Sequence, residues 1–143
     1  MSTSSNLEAD KSRWAFGSIM ISALIAGVIA AIANVVVLLG GGALIGGVNV
    51  MPPGAAEPEA LPVVVMGAVS FVGLLIGGVG LWVSANYIPR GVLVWQVVAV
   101  VLTLLSLGSV FSGQVETTGG MVILTITHLL LGAIMVWYLT LRE

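Results

Sequence analysis

The sequence predicts an all-α integral membrane protein, a bundle of four transmembrane helices, and three observations support this fold class. Of the 143 residues, 59% are hydrophobic and 7% are charged, whereas soluble domains carry about 25% charged residues. Four long apolar segments are each close to or above the roughly 20 residues that cross a hydrocarbon core as a helix. Clusters of Gly, Pro and charged residues separate them. Because so few charges cannot cover a water-exposed surface, the surplus apolar surface must face lipid.

The first transmembrane helix is predicted from Ala15 to Leu39, after a polar tail formed by residues 1–13. No charged residue occurs between Trp14 and Val50. We expect the helix to end at Leu39 because three consecutive glycines follow it. The predicted length of about 25 residues crosses a membrane comfortably at about 1.5 Å per residue.

A cleaved signal peptide is the alternative interpretation of this first segment. Two basic residues, Lys11 and Arg13, precede the apolar run, as they do in a signal peptide. The hydrophobic part of a signal peptide is only about 7–15 residues long, however. The greater length here favours a retained transmembrane helix.

Residues 40–60 are predicted to form the outer loop, which is the longest connection in the chain and is rich in Gly and Pro. The second helix is predicted over about residues 61–85. Pro62 fits its first turn, where a missing N–H group costs little, and Pro89 prevents its continuation.

The third and fourth helices are predicted over about residues 91–111 and 121–139. A tight turn that contains Arg90 precedes the third helix. A short polar loop that contains Glu116 and several glycines separates the two. Residues 14–143 therefore form one four-helix domain.

The basic residues all fall on one side of this predicted bundle. They are Lys11, Arg13, Arg90 and Arg142. The loops on the other side carry only acidic residues: Glu57, Glu59 and Glu116. Because basic residues are enriched in cytoplasmic segments, the pattern predicts that both termini are cytoplasmic.

Small residues form a regular seam along the predicted second helix, at spacings of three, four, three and four residues. The seam consists of Ser70, Gly73, Gly77, Gly80 and Ser84. Such positions lie on one helix face and admit a neighbouring helix closely, which is the main source of helix association in lipid. The sequence therefore predicts that this face packs against another helix.

Polar side chains within the spans are few, and they define a candidate polar interior or ligand site. They are Asn34, Gln96, Thr103, Ser106, Thr125 and His128. His128 is the only ionisable one, and ionisable groups within a membrane are frequently functional.

Three interpretations of His128 remain open. A neutral imidazole could be hydrogen-bonded to Gln96, Thr103 or a backbone carbonyl and so hold helices together. His128 could instead be an axial ligand of a haem-like macrocycle, with a Met or a second subunit as the other ligand. The third interpretation is a role in proton-coupled transport or in substrate binding.

Several kinds of chemistry are not predicted. The chain has no cysteine and only one histidine, so neither a disulfide nor a metal site is expected. The run GGGALIGG lacks the Lys and the hydroxyl residue of a phosphate-binding loop. A net charge of −2 offers no basic surface for nucleic acid. We therefore predict no catalytic site, no cofactor and no nucleic-acid partner.

The segment from Ile88 to Leu139 resembles a known family. Its motifs are Pro89-Arg90, Val94-Trp95, Leu104-Leu105-Ser106-Leu107 and Thr127-His128-Leu129. Together they resemble a domain-of-unknown-function family of small four-helix bacterial membrane proteins. The resemblance implies a four-helix fold in a bacterial cytoplasmic membrane and implies no activity.

The sequence thus predicts a non-enzymatic multi-pass membrane protein that acts by helix association. It would form a homo-oligomer or serve as an accessory subunit of a membrane complex, with membrane lipid around it. The alternative is a small transporter, or a protein that binds a ligand or cofactor in the polar interior around His128.

Overall fold

The computed structural model describes residues 14–52, 54–112 and 114–140. Within them lie four α-helices and one two-stranded sheet, and in chain order the elements are α1 Phe16–Ile45, β1 Asn49–Val50, β2 Glu59–Ala60, α2 Val63–Tyr87, α3 Gly91–Phe111 and α4 Thr118–Thr140. The predicted all-α class is therefore confirmed. The predicted tail at residues 1–13 and the basic Arg142 lie outside the described residues.

All four helices are long and apolar enough to cross a membrane. In the most apolar stretch of each helix, at most a third of the residues are buried within the protein. Large aliphatic side chains instead point outward; Val36 is 62% exposed and Leu105 is 68% exposed. A soluble bundle would bury this apolar surface, so the distribution fits a multi-pass membrane protein whose outer face meets lipid.

The prediction that the first helix ends at Leu39 was wrong, because α1 continues through the three glycines to Ile45. Each glycine disfavours a helix by about 1 kcal/mol, but here packing outweighs that preference. Gly41 lies against the side chain of Ile123 on α4, so closely that an added Cβ would be 2.8 Å from it. The helix ends instead at Gly46, whose φ of 81° is left-handed backbone.

The other helix bounds lie close to their predicted positions. Helix α3 begins and ends where the sequence places it, and α2 is shifted by two residues at each end. Helix α4 begins three residues earlier than predicted and ends one residue later. Differences of this size are usual at helix termini, where capping varies.

The predicted loop at residues 40–60 contains a β-hairpin that the sequence analysis did not identify. Strands β1 and β2 are antiparallel, with Asn49 opposite Ala60 and Val50 opposite Glu59. Val50 also pairs with Val115 in the loop between α3 and α4. We call residues 46–52, 54–62, 112 and 114–117 together the loop cap, because pairing of Val50 with Val115 joins these segments across one end of the bundle.

The loop cap is held by backbone and side-chain hydrogen bonds. Asn49 donates its side-chain N–H to Glu116 Oε2 at 2.8 Å, and the backbone N–H of Glu116 donates to the carbonyl of Asn49 at 3.2 Å. Beneath it, the buried side chains of Val48, Val115 and Leu124 belong to one apolar cluster. The cap therefore closes that end of the bundle.

Close backbone approach fixes how α2 meets its neighbours. Helix α1 packs most extensively on α2, and an added Cβ at Gly78 would lie 2.6 Å from the Cβ of Ala23. At the opposite end from the cap, Gly91 sits so close to the carbonyl of Ser84 that no Cβ fits. The α2–α3 turn preceding it places Arg90 in left-handed backbone with φ of 56°.

Candidate functional site: a cleft between α2 and α3 beside His128

The predicted seam of α2 contacts three different helices of the same chain. Ser70 accepts a hydrogen bond from Asn34 on α1, Gly77 lies against Met135 on α4, and Gly80 lies against the ring of Trp95 on α3. The carbonyl of Ser84 lies against α3 at its first residue. Gly73 is different, because an added Cβ there would meet no atom within 4 Å.

The polar residues predicted to share one interior lie in separate places. Asn34 is buried between α1 and α2, where its Nδ2 donates to Ser70 Oγ at 2.8 Å and Ser70 in turn donates to the carbonyl of Met66. Gln96 lies near the other end of α3, and its Nε2 donates to Thr140 Oγ1 at 2.8 Å. Neither residue lines the cavities described below.

Thr103, Ser106 and His128 do come together, around an open space between α2 and α3. Helix α2 touches α3 where Gly80 meets Trp95, and the open space lies on the loop-cap side of that contact. The space that results is a cavity of about 300 Å³, which we call the lower cavity. Its further lining includes Gly73, Gly77, Leu102 and Gly132.

A second cavity of about 450 Å³, the upper cavity, lies between the same helices and the loop cap. Ser109 of α3, Met66 of α2 and Glu59 of the hairpin are among its lining residues. His128 of α4 lines both cavities. We call the two cavities together the cleft, and His128 stands at their junction.

The hydrogen bond of His128 determines which ring nitrogen is free. Nδ1 lies 2.7 Å from the carbonyl oxygen of Leu124, four residues earlier on the same helix. A carbonyl only accepts, so Nδ1 carries the proton and a neutral ring keeps a lone pair on Nε2. No described residue hydrogen-bonds Nε2. The bond is local to α4, so His128 does not connect two helices in the way that the first interpretation expected.

Trp95 lies at the far end of the lower cavity, where α2 and α3 touch, about three helical turns from the level of His128. Its side chain is only 7% exposed, and its indole Nε1 is buried without a hydrogen-bond acceptor among the described residues. Buried indole N–H groups normally have a partner. The sequence analysis named Trp95 only within the Val94-Trp95 motif and did not predict this buried position. Gly80, the small residue that the Trp95 ring contacts, was the sequence feature that could have indicated this packing.

The remaining candidate residues and groups contribute less to the site. Thr125 is half-buried and lines neither cavity. Thr127, which sequence reasoning did not select, is buried and donates only to the carbonyl of Leu124. Among the residues that the structure describes, no group of three or more potential ligands could hold a metal ion.

Fold and cleft together define a small α-helical protein with four candidate membrane spans and a mostly apolar cleft beside one histidine. The chain belongs to the family of unknown function DUF6069, whose family model matches residues 15–143. This confirms the resemblance noted in the sequence. Neither the curated proteins nor the solved structures gave a match in the corresponding comparisons.

Proposed function

We propose that this protein is a multi-pass protein of the bacterial cytoplasmic membrane that binds a small apolar or amphipathic molecule in the cleft. The observation that carries the proposal is the position of His128, whose Nε2 has no described partner, at the junction of two mostly apolar cavities. Apolar cavities with a few convergent polar groups are the usual form of ligand sites, and they commonly measure about 300–1,000 Å³.

The position of the cleft favours a ligand that arrives from the bilayer. Its lower part lies between two candidate spans and is lined by apolar residues such as Val69, Ile76 and Leu102. Only its upper part meets the polar loop cap at Glu59. A molecule with an apolar body fits this arrangement better than a charged solute, since charge transferred into an apolar space is costly.

Photolabelling with an alkane that carries a diazirine group tests this site. We expect saturable labelling of the cleft residues Val69 and Leu102 in the purified protein, measured by mass spectrometry of peptides. Gly73→Leu should abolish it, because the new side chain would occupy the open space that Gly73 faces. The matched control is Gly108→Leu, since Gly108 is exposed on α3 and also has no atom near an added Cβ.

Two outcomes would count against the ligand site. The cleft residues could be labelled no more saturably than the outward face of α3, which would indicate ordinary contact with lipid. Gly73→Leu and Gly108→Leu could also leave the same labelling pattern as the unmodified protein. Either result would show that the cleft does not retain a molecule of its own.

We also propose membrane insertion with both termini in the cytoplasm. The even number of candidate spans and the acidic residues of the loop cap support this orientation, since cytoplasmic segments favour basic residues. The sequence has no cysteine, so a single introduced cysteine is the only thiol of the protein that can be labelled. A membrane-impermeant maleimide should label Glu57→Cys in intact cells and Ser4→Cys only after permeabilisation. The reverse pattern, or recovery of the protein without detergent, would contradict the proposal.

Helix association remains a second proposal, with narrower support than the sequence suggested. Four of the five seam residues contact other helices of the same chain, so the seam is largely occupied. Helix α3 is the least enclosed of the four described helices, because 17% of the residues in its most apolar stretch are buried. We therefore propose that its exposed face meets another membrane subunit or a second copy of the chain. Mass measurement in mild detergent tests this, and a monomer without co-purifying protein would refute it.

A further inference from the structure

We infer that the ligand of the cleft is an amphiphilic organic cation, a long-chain amine whose charge lies at Glu59 and whose chain extends down the cleft past His128. This inference rests on the proposed ligand-binding function and specifies the chemical class of the ligand. It depends on the one carboxylate among the residues that line the cleft and on the extent of the apolar space below it.

The side chain of Glu59 has no partner within the described structure. Glu59 belongs to β2 and lines the upper cavity, and no described residue forms an ion pair or a hydrogen bond with its carboxylate. The other two acidic residues of the loop cap are different. Glu116 accepts a hydrogen bond from Asn49, and Glu57 lines neither cavity. The cleft therefore has one carboxylate whose charge is available to a ligand.

No positive charge close to the cleft compensates Glu59. Neither cavity is lined by a Lys or an Arg. Arg90, the only basic residue that the structure describes, precedes α3 at the end of the bundle opposite the loop cap. Glu57 and Glu116 add further negative charge at the loop-cap end. Because a cleft with apolar walls and charges of one sign concentrates ions of the opposite sign, this end of the cleft favours a cation over a carboxylate or a phosphate.

The rest of the cleft suits an apolar chain. Its lining on α2 extends from Val65 in the upper cavity to Gly77 in the lower cavity, which is about 18 Å at 1.5 Å per residue. Apolar side chains such as Val69 and Leu102 line the lower part, where an isolated charge would be costly. Glu59 is exposed, so a charge beside it stays in contact with water. A molecule that is charged at one end and apolar along the rest matches both parts of the cleft.

Neutral and zwitterionic amphiphiles use this arrangement less fully. A long-chain alcohol fits the apolar space but gains no attraction from the charge of Glu59. A lipid with a phosphoethanolamine headgroup brings a phosphate together with its ammonium, and like charges placed close together are unfavourable. A single positive charge without an accompanying anion is therefore the class that fits.

The experiment compares three photolabels on the full chain in a neutral detergent: a long-chain alkylammonium, the corresponding alcohol and the corresponding phosphoethanolamine. Each carries a diazirine at its apolar end, so that labelling of Val69 and Leu102 reports a chain in the lower cavity. We expect the ammonium to reach half-saturation at about fivefold lower concentration than the alcohol, because ion pairs at exposed carboxylates are modest in strength. The phosphoethanolamine should show no such advantage.

Two variants assign the preference to one side chain. Glu59→Gln should remove the fivefold advantage of the ammonium and leave labelling by the alcohol unchanged, since it deletes the charge and keeps the size of the side chain. Glu57→Gln is the matched control, because it changes the net charge equally, lies two residues away and is outside both cavities. It should keep the advantage. The ratio between probes is compared within each variant, so that partitioning of a probe into the micelle cancels.

The two levels of the proposal fail differently. If the ammonium and the alcohol label the unmodified chain equally and Gly73→Leu blocks both, the cleft binds ligands and the cation inference is wrong. If Gly73→Leu changes the labelling by none of the probes, the cleft is not a ligand site and both proposals fail.

Three other outcomes would overturn the cation inference alone. An advantage of the ammonium that persists in Glu59→Gln, or that Glu57→Gln removes to the same extent, would show that Glu59 does not hold the charge. Labelling by the phosphoethanolamine at the same concentration as the ammonium would indicate a lipid headgroup in place of a simple amine. The comparison of the three probes needs only the unmodified chain, so it remains decisive if a variant folds poorly.

Discussion

Gly78→Ala is predicted to destabilise the protein, although the substitution improves the helix propensity of α2. An added Cβ at Gly78 would lie 2.6 Å from the Cβ of Ala23, whereas two carbon atoms prefer about 3.5–4.0 Å. Both atoms are fixed to their backbones, so no side-chain rotation relieves the contact. Helices α1 and α2 must therefore separate by about 1 Å, over the most extensive helix interface of the described structure.

The expected size of the effect follows from two opposing contributions. Overpacking of this kind costs about 1–3 kcal/mol, and the upper value applies because no flexible atom can move aside. Replacing glycine by alanine within a helix returns about 1 kcal/mol. We therefore expect Gly78→Ala to lower the free energy of unfolding by about 2 kcal/mol, the difference between these contributions.

Gly73→Ala is the matched control on the same helix, because an added Cβ there meets open space. It should leave stability unchanged or raise it by up to about 1 kcal/mol. Unfolding in mixed micelles with increasing dodecyl sulfate, followed by circular dichroism, gives both values. Equal stability of the two variants would refute the α1–α2 packing described above.

Three further predictions concern other contacts. The double-mutant cycle of Asn34→Ala and Ser70→Ala should give a coupling energy of about 1 kcal/mol for their buried hydrogen bond, and additive effects in the same unfolding assay would contradict that bond. Gln96→Leu should lower the free energy of unfolding by about 0.5 kcal/mol, because it removes the half-buried hydrogen bond to Thr140; since Gln96 lines neither cavity, labelling of the cleft by the diazirine-bearing alkane should not change, and a loss of labelling would place Gln96 in the site. Arg90→Gly should stabilise the protein by about 1 kcal/mol, because the left-handed backbone at Arg90 disfavours any residue with a Cβ; an unchanged unfolding midpoint would show that this turn is not strained.

The candidate site could be predicted from the sequence only in part. His128 was selected because it is the only ionisable residue within a predicted span, and Thr103 and Ser106 line the cleft with it. Asn34 and Gln96 belong to the same predicted polar set but lie elsewhere. Periodicity defines the polar face of a helix, and it does not define which neighbour that face meets.

Trp95 illustrates a further limit of pattern-based prediction. An aromatic residue near a helix end is typical of a membrane interface, and spacing alone says nothing about the atoms around the indole nitrogen. Only the tertiary structure shows that Gly80 contacts the ring and that the indole nitrogen is buried without a partner among the described residues. The loop cap is similar, because its two-residue strands pair through contacts that no local sequence pattern encodes.

The sequence alone determined the helical class, the number of long apolar helices and the approximate position of each. Composition and the lengths of the apolar segments were sufficient for this. These properties depend on hydropathy and chain length, which are additive along the sequence. Tertiary packing decided that α1 continues through three glycines, that the seam of α2 is shared among three helices, and that a cleft opens beside His128. Those features depend on how helices rotate and approach one another, and small differences in side-chain volume between distant residues control that geometry.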